Sequence, residues 1–251
     1  VELSVLKAPT ITSHPASQTV SEGQGFTLAV SANGTAPLSY QWHLKTEAIT
    51  DATNSTYSVG SAGAGDGGDY YVVVANGAGA VTSSVATVRV ALSQTIMSAA
   101  NLVVLRAGDG VQSLGNTGNS VYLDQYTTTG DYVSTMAVPD SGTAALIING
   151  SATAEGALSL SADGRYLTFV GYSTNRPASG NVSNFSPAQV PRAVGQVDAA
   201  GQYEIAAQTT TVYNGSFRSA VSDGANNYWG AGANNGTYYL GNESPPANVQ
   251  N

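Results

Sequence analysis

Short runs rich in Val, Leu, Thr and Tyr recur along this chain, separated by Gly, Asn and Asp. The clearest are Phe26–Val30, Tyr70–Ala75, Val81–Val90, Val121–Thr127, Tyr132–Val138, Ala157–Ser161, Tyr166–Tyr172 and Tyr203–Ala207. β-branched and aromatic side chains bounded by turn formers favour strands. Apolar residues at helical spacing are hard to find, so the fold class is all-β. Asp163-Gly164 lies between two such runs and predicts a hairpin, because both residues tolerate positive φ. Strands spaced this closely indicate sandwiches, barrels or propellers.

Composition narrows the functions open to such a chain. Its 251 residues suggest one or two domains. Eight basic against sixteen acidic side chains leave a formal net charge of −8. That balance argues against a nucleic-acid partner, which requires a basic surface. No apolar run approaches the roughly 18 residues of a membrane span, and no basic-then-apolar leader opens the sequence. With no cysteine there is no disulfide, thiolate nucleophile or zinc–thiolate site. With only His14 and His43, a multi-histidine metal site is nearly excluded.

Residues 8–92 read as a first unit. In order come Val20-Ser-Glu-Gly23, Phe26-Thr-Leu-Ala-Val30, Pro37-Leu-Ser-Tyr-Gln-Trp42, Asp66-Gly-Gly-Asp-Tyr70-Tyr-Val72 and Asn76-Gly-Ala-Gly79. This order resembles an immunoglobulin-like domain of the I-set type, common in tandem arrays on bacterial surface proteins. The resemblance implies a β-sandwich with Trp42 buried between the sheets and Tyr70 as the tyrosine corner. The family's paired cysteines would fall at Val30 and Val72, so aliphatic packing replaces the disulfide. That gives up a loop constraint worth about 2–4 kcal/mol. Val30, Trp42, Tyr70 and Val72 are therefore expected in the structural core.

Val1-Glu-Leu-Ser-Val5 resembles the closing phrase Ala86-Thr-Val-Arg-Val90. Residues 1–7 are accordingly expected to be the last strand of a preceding immunoglobulin-like domain, and 93–97 a linker. Residues 98–251 form a second unit with internal repetition. Tyr126-Thr-Thr-Thr-Gly130-Asp-Tyr132 recurs as Val197-Asp-Ala-Ala-Gly201-Gln-Tyr203, and Gly156–Tyr166 is echoed by Phe217–Trp229. A period of roughly 60–70 residues with four short strands suits propeller blades. Blades are expected at 101–140, 155–209 and 216–251. This resembles a propeller-like region that follows immunoglobulin-like repeats in large bacterial surface proteins, here expected to be truncated.

Candidate chemistry is sparse. His14 lies in a Pro-flanked entry segment and His43 follows the core Trp42, so neither suits a catalytic base. Asp163, Asp198 and Asp223 sit in turn phrases, where Asp stabilises the turn itself. Glu155 and Arg218 each start an expected innermost strand and are the candidate residues for a polar ligand, against an ion pair or solvated edge. Asp109 with loop carbonyls is a candidate calcium site, against ordinary turn chemistry. Asn-x-Ser/Thr sequons stand at Asn33, Asn54, Asn149, Asn181, Asn184, Asn214, Asn235 and Asn242. In a bacterial protein they imply no eukaryotic glycosylation.

Two readings follow. The first is a non-enzymatic extracellular or cell-surface module, secreted or displayed, acting as spacer, adhesin or binding platform for a protein or glycan. It requires no cofactor and no catalytic residue. The alternative is a propeller-based lyase or glycosidase whose catalytic carboxylates lie largely outside this sequence.

Overall fold

The computed structural model describes residues 6–92, 95–111, 113–152, 154–233 and 236–241, and the backbone of 247–248. The expected strand at Val1–Val5 lies outside the described residues, as do positions 93 and 94 of the expected linker and the sequons at Asn235 and Asn242. The chain divides into two compact units, Val1–Ala91 and Leu92–Asn251.

Among the described residues the first unit holds ten strands: β1 Thr10–Ser13, β2 Gln18–Ser21, β3 Phe26–Ala29, β4 Ser31–Asn33, β5 Ser39–Leu44, β6 Glu47–Ala48, β7 Thr56–Val59, β8 Gly68–Asn76, β9 Gly79–Thr82 and β10 Ala86–Leu92. The run read from sequence as Val81–Val90 is broken, because residues 83–85 leave the ladder. There the Ser83 side chain turns inward: its hydroxyl accepts the Val72 N–H at 3.0 Å. One sheet is ordered β10-β8-β5-β6, with β2 parallel to β10 and β9 on β8. Opposite it stand the pairs β1–β4 and β3–β7. Along β8 burial alternates strictly from Gly68 to Val74, the signature of a strand with one face in a core.

That core is aromatic. Trp42 and Tyr70 are fully buried, and Val72 and Val30 are buried with them. Phe26 meets Tyr70 edge-on at 5.8 Å, and Tyr57 lies 6.3 Å from Trp42 and 5.8 Å from Tyr70. Such contacts add to the area buried. Both polar tips are satisfied: Trp42 Nε1 donates to the Asn54 carbonyl at 2.9 Å, and the Tyr70 hydroxyl to the Asp66 carbonyl at 2.8 Å.

Among the described residues the second unit holds three antiparallel sheets. The first is β11 Leu102–Ala107, β12 Val121–Tyr126 and β13 Tyr132–Ala137. The second is β14 Ser159–Leu160, β15 Tyr166–Tyr172, β16 Arg192–Asp198 and β17 Tyr203–Thr209. The third is β18 Phe217–Ser222, β19 Tyr228–Gly232, β20 Gly236–Tyr239 and β21 Ala247–Asn248. One core joins Leu123 and Met136 of the first sheet to Phe169 and Val197 of the second. Another joins Val170 and Val194 of the second to Phe217, Ala220 and Tyr228 of the third. The middle sheet is thus covered on both faces, so β15 and β16 read as nearly continuous buried runs rather than alternating ones.

The sequence echoes coincide with hairpins. In β12–β13, Thr127 N–H donates to the Asp131 carbonyl at 2.8 Å and Gly130 N–H to Thr127 at 3.0 Å. In β16–β17, Asp198 donates to Gln202 at 3.1 Å and Gly201 to Asp198 at 3.0 Å. The second echo is a hairpin in each copy with a shifted register. Leu160 pairs with Leu167 and Ser222 with Tyr228, so Tyr228 corresponds to Leu167 and not to Tyr166. The loop after Asp223 is one residue shorter, closed by Asp223 to Asn227 instead of Ser161 to Tyr166.

Candidate functional site

The connections 138–158 (β13 to β14), 173–191 (β15 to β16) and 210–216 (β17 to β18) meet at one end of the second sheet and gather polar side chains there. Glu155 lies in the loop before β14, four residues short of its start, and is half-buried. Its Oε1 accepts the Tyr172 hydroxyl at 2.5 Å and its Oε2 the Asn149 N–H at 3.1 Å. Asn149 is itself buried, and its amide donates to Asn181 Oδ1 and Ser183 Oγ, both at 3.2 Å. Asp140 accepts Ser120 Oγ at 2.6 Å and Arg176 Nε at 3.0 Å. These carboxylates tie one connection to the next.

Arg192 opens β16 and is fully buried. Its guanidinium donates to three carbonyls, Tyr213 at 3.1 Å, Val190 at 2.6 Å and Phe185 at 2.7 Å, and lies 4.8 Å from the centre of the Tyr172 ring. Burial works against the Arg192 charge and lowers its pKa, with Tyr172 and Glu155 opposing. Burial, then the neighbouring Glu155 charge, pushes the Tyr172 hydroxyl well above the usual phenol range. Tyr172 is therefore a hydrogen-bond donor locked between a carboxylate and a cation. Sequence reasoning missed this pair. Arg192 follows Pro191 directly and heads the run Arg-Ala-Val-Gly-Gln-Val-Asp, whose only charges stand at its two ends. That signal fits a strand buried on both faces, entered by a cation.

Arg218 lies within β18, at the bulge between Phe217 and Ser219, and is exposed. No hydrogen bond or ion pair joins it to Glu155 among the described residues. The two sequence candidates therefore differ in state: one carboxylate is committed to the fold, and one cation is exposed at the surface. Asp109 Oδ1 accepts the Val111 N–H at 2.9 Å, a turn bond. Among the described residues no group of three or more His, Asp or Glu side chains is placed to hold a metal ion. His14 Nδ1 accepts the Ser84 N–H at 2.9 Å, and His43 stacks on Tyr71 at 4.6 Å.

At the opposite end of the second sheet a groove of about 370 Å³ opens between it and the first. Met97, Leu102, Val103, Leu158, Leu160 and Leu167 give it an apolar lining. Arg165 and Asp198 stand at its polar rim. Arg165 is held there by Asp163 at 2.5 Å and by the Gly224 carbonyl at 2.7 Å. Nothing in the sequence marked this groove, because it is assembled from three separated segments.

The family model for the immunoglobulin domain matches residues 8–76. Residues 8–76 form an immunoglobulin-like domain. The tyrosine corner and buried tryptophan described above are its internal signature. No curated protein matches the chain. Among solved structures it is similar to extracellular domains 3–5 of Drosophila OTK, at 18% identity and a TM-score of 0.31, over 34% of this chain and 32% of that one. The chain thus spans about a third of the length of that relative. It is also similar to a chimeric titin Z1Z2 carrying a decorin-derived peptide, at 21% identity, TM-score 0.31, over 36% of this chain and 99% of that one. Titin domain M7 is similar at 23% identity, TM-score 0.32, over 35% and 97%. No helix among the described residues is long and apolar enough to cross a membrane.

Proposed function

We propose that this chain is a non-enzymatic module of an extracellular or cell-surface protein, acting as a spacer, adhesin or binding platform for a protein or glycan. Immunoglobulin-like domains commonly serve as extracellular binding and adhesion modules, and the domain at 8–76 supports that setting. We read residues 98–251 as part of a β-propeller in a longer, bacterial polypeptide, with each sheet a blade. The matching hairpins and the face-to-face stacking of three sheets support this reading.

The observation that carries the non-enzymatic reading is the engagement of Glu155 and Asp140. A general acid or nucleophile needs a carboxylate free to meet substrate. Here Glu155 is engaged through both oxygens, and Asp140 by Ser120 and Arg176. Arg218, exposed on the same connection end, is the side chain offered to a ligand. The test is incubation with a panel of surface polysaccharides, scoring retention and release of new reducing or unsaturated ends. Retention without cleavage, weakened by Arg218→Ala, is expected. Cleavage would favour the lyase or glycosidase alternative.

A further inference from the structure

The 370 Å³ groove of the second unit is built from the segment entering β11, the β14–β15 hairpin and the β16–β17 turn. Its floor belongs to the fold. Met97 is buried, and Leu158 and Leu167 pack on the core that holds Leu123 and Phe169. Its lips do not. Leu102 and Leu160 line the same groove and are 55% and 61% exposed. Large apolar side chains gathered around an apolar floor mark an interaction site, as single exposed ones do not.

The polar groups at the rim are unevenly spent. Arg165 is the one cation among the lining residues. Its charge is met by Asp163 at 2.5 Å, and it donates to the Gly224 carbonyl at 2.7 Å. Asp198 accepts the Ala200 and Gln202 N–H groups at 2.9 and 2.8 Å, both through Oδ1. Its Oδ2 accepts no hydrogen bond among the described residues. Asn101 donates its amide nitrogen to Gln125 Oε1 at 3.3 Å, and its own oxygen is likewise unengaged there. With Arg165 matched by Asp163, the Asp198 charge is left over, and the rim is short of donors. The net charge of −8 over the chain adds a field that favours cations. The complementary occupant is therefore apolar in its body and cationic at its edge.

The exposed lips decide where such an occupant comes from. Small-molecule sites enclose about 70–90% of their ligand's surface. Walls that are themselves half exposed do not enclose a free molecule. A polypeptide covers Leu102 and Leu160 with the residues on either side of its anchor, as the surround of an interface excludes water from its centre.

We infer that this groove docks an exposed segment of a partner protein, taking an apolar side chain into the groove while a neighbouring lysine or arginine meets Asp198. A docked protein segment is one form of the binding-platform reading, and only the existence of a partner rests on that reading.

The test uses the whole 251-residue protein with labelled Met, Leu and Val methyl groups. The probes are the end-blocked peptides Ser-Leu-Leu-Lys-Ser, Ser-Leu-Leu-Glu-Ser and Ser-Ser-Ser-Lys-Ser, with butylammonium as a free amine. The Leu-Leu-Lys peptide is expected to shift the Met97, Leu102, Leu158, Leu160 and Leu167 methyl signals saturably at millimolar concentration. The Leu-Leu-Glu peptide binds about fivefold or more weakly, because an attraction becomes a repulsion. Asp198→Asn keeps the Oδ1 that closes the turn; it weakens the Lys peptide about two- to fivefold and leaves the Glu peptide no weaker. Leu160→Ala weakens both Leu-Leu peptides. Ser-Ser-Ser-Lys-Ser and butylammonium leave the signals in place. Equal binding of the Lys and Glu peptides, shifts confined to other methyl groups, or no saturable shift overturns the inference. Butylammonium binding as tightly as the Leu-Leu-Lys peptide overturns it in favour of a small-molecule site. The same shifts on concentrating the protein alone overturn it in favour of a second copy. The peptide series is run on unaltered protein, so a variant that fails to fold leaves the answer intact. Polysaccharide retention is scored through Arg218→Ala, away from these methyl groups, so the two readings can fail separately.

Discussion

Gly130 and Gly201 occupy the same place in two hairpin turns of different sheets. Both are left-handed, with φ of 94° and 78°, and each donates its N–H to the residue three positions back. Their surroundings differ. A Cβ on Gly130 would meet nothing within 4 Å, whereas one on Gly201 would run into the Thr95 backbone. The turn chemistry is therefore repeated, while the contact made by the turn belongs to one copy.

Gly130→Ala is expected to cost only the left-handed strain, about 1–2 kcal/mol. Gly201→Ala adds displacement of the Thr95 segment, about 1–3 kcal/mol more. Thermal melts of the two variants check this. Equal losses would mean that the Gly201–Thr95 approach contributes nothing.

Trp42→Ala removes the largest fully buried side chain of the immunoglobulin-like unit and is expected to cost about 3–5 kcal/mol. Tyr70→Phe keeps the ring and removes only the bond to the Asp66 carbonyl, so its cost is about 1–2 kcal/mol. Denaturant titration followed by far-ultraviolet circular dichroism, a readout that both variants keep, separates the two. A Trp42→Ala loss below about 1 kcal/mol contradicts the core role.

Arg192→Lys is expected to destabilise the second unit by about 2 kcal/mol or more. Lysine offers no planar fork to reach the Tyr213, Val190 and Phe185 carbonyls together, and its compact charge is costlier to bury. Arg218→Lys, at an exposed position of β18, is the control and stays within about 0.5 kcal/mol. Calorimetry of both variants decides it.

The Asp163 carboxyl is held at about 2 by the Ser161 hydroxyl, the Arg165 N–H and the Arg165 side chain, below the 3.8 of a free aspartate. Its contribution is present in full above pH 3.8 and is lost as pH falls through about 2. The carboxyl carbon followed by NMR should titrate near 2, and Ser161→Ala should move that midpoint upward. A wild-type midpoint at the free value would show that the turn does not hold the charge.

Much of the local structure was legible in residues alone. The resemblance to an immunoglobulin-like domain implies core roles for Trp42, Tyr70, Val30 and Val72, and all four are buried. The Gly130 and Gly201 phrases announce matching turns, because only a few residue types tolerate positive φ. Strand β16 was overlooked for a physical reason. Covered on both faces, Arg192–Asp198 has no alternation to read, and a charged residue at its start looks like solvent-facing chain. The long run Val81–Val90 hid a break because Ser83 and Ser84 carry no strong turn signal.

The sequence by itself determined what short-range chemistry can determine: strand-forming runs, their turns, the all-β class, and the aromatic and aliphatic residues of the immunoglobulin-like core. Only the tertiary structure decided which groups are spent and which are offered. It engaged Glu155 with Tyr172 and Asn149, buried Arg192 against Tyr172, left Arg218 exposed, and opened a groove beside strand β11. Each of these depends on residues far apart in the chain meeting across a sheet or a loop. Local propensity is blind to that separation, because it registers a residue's neighbours in sequence and not its partners in space.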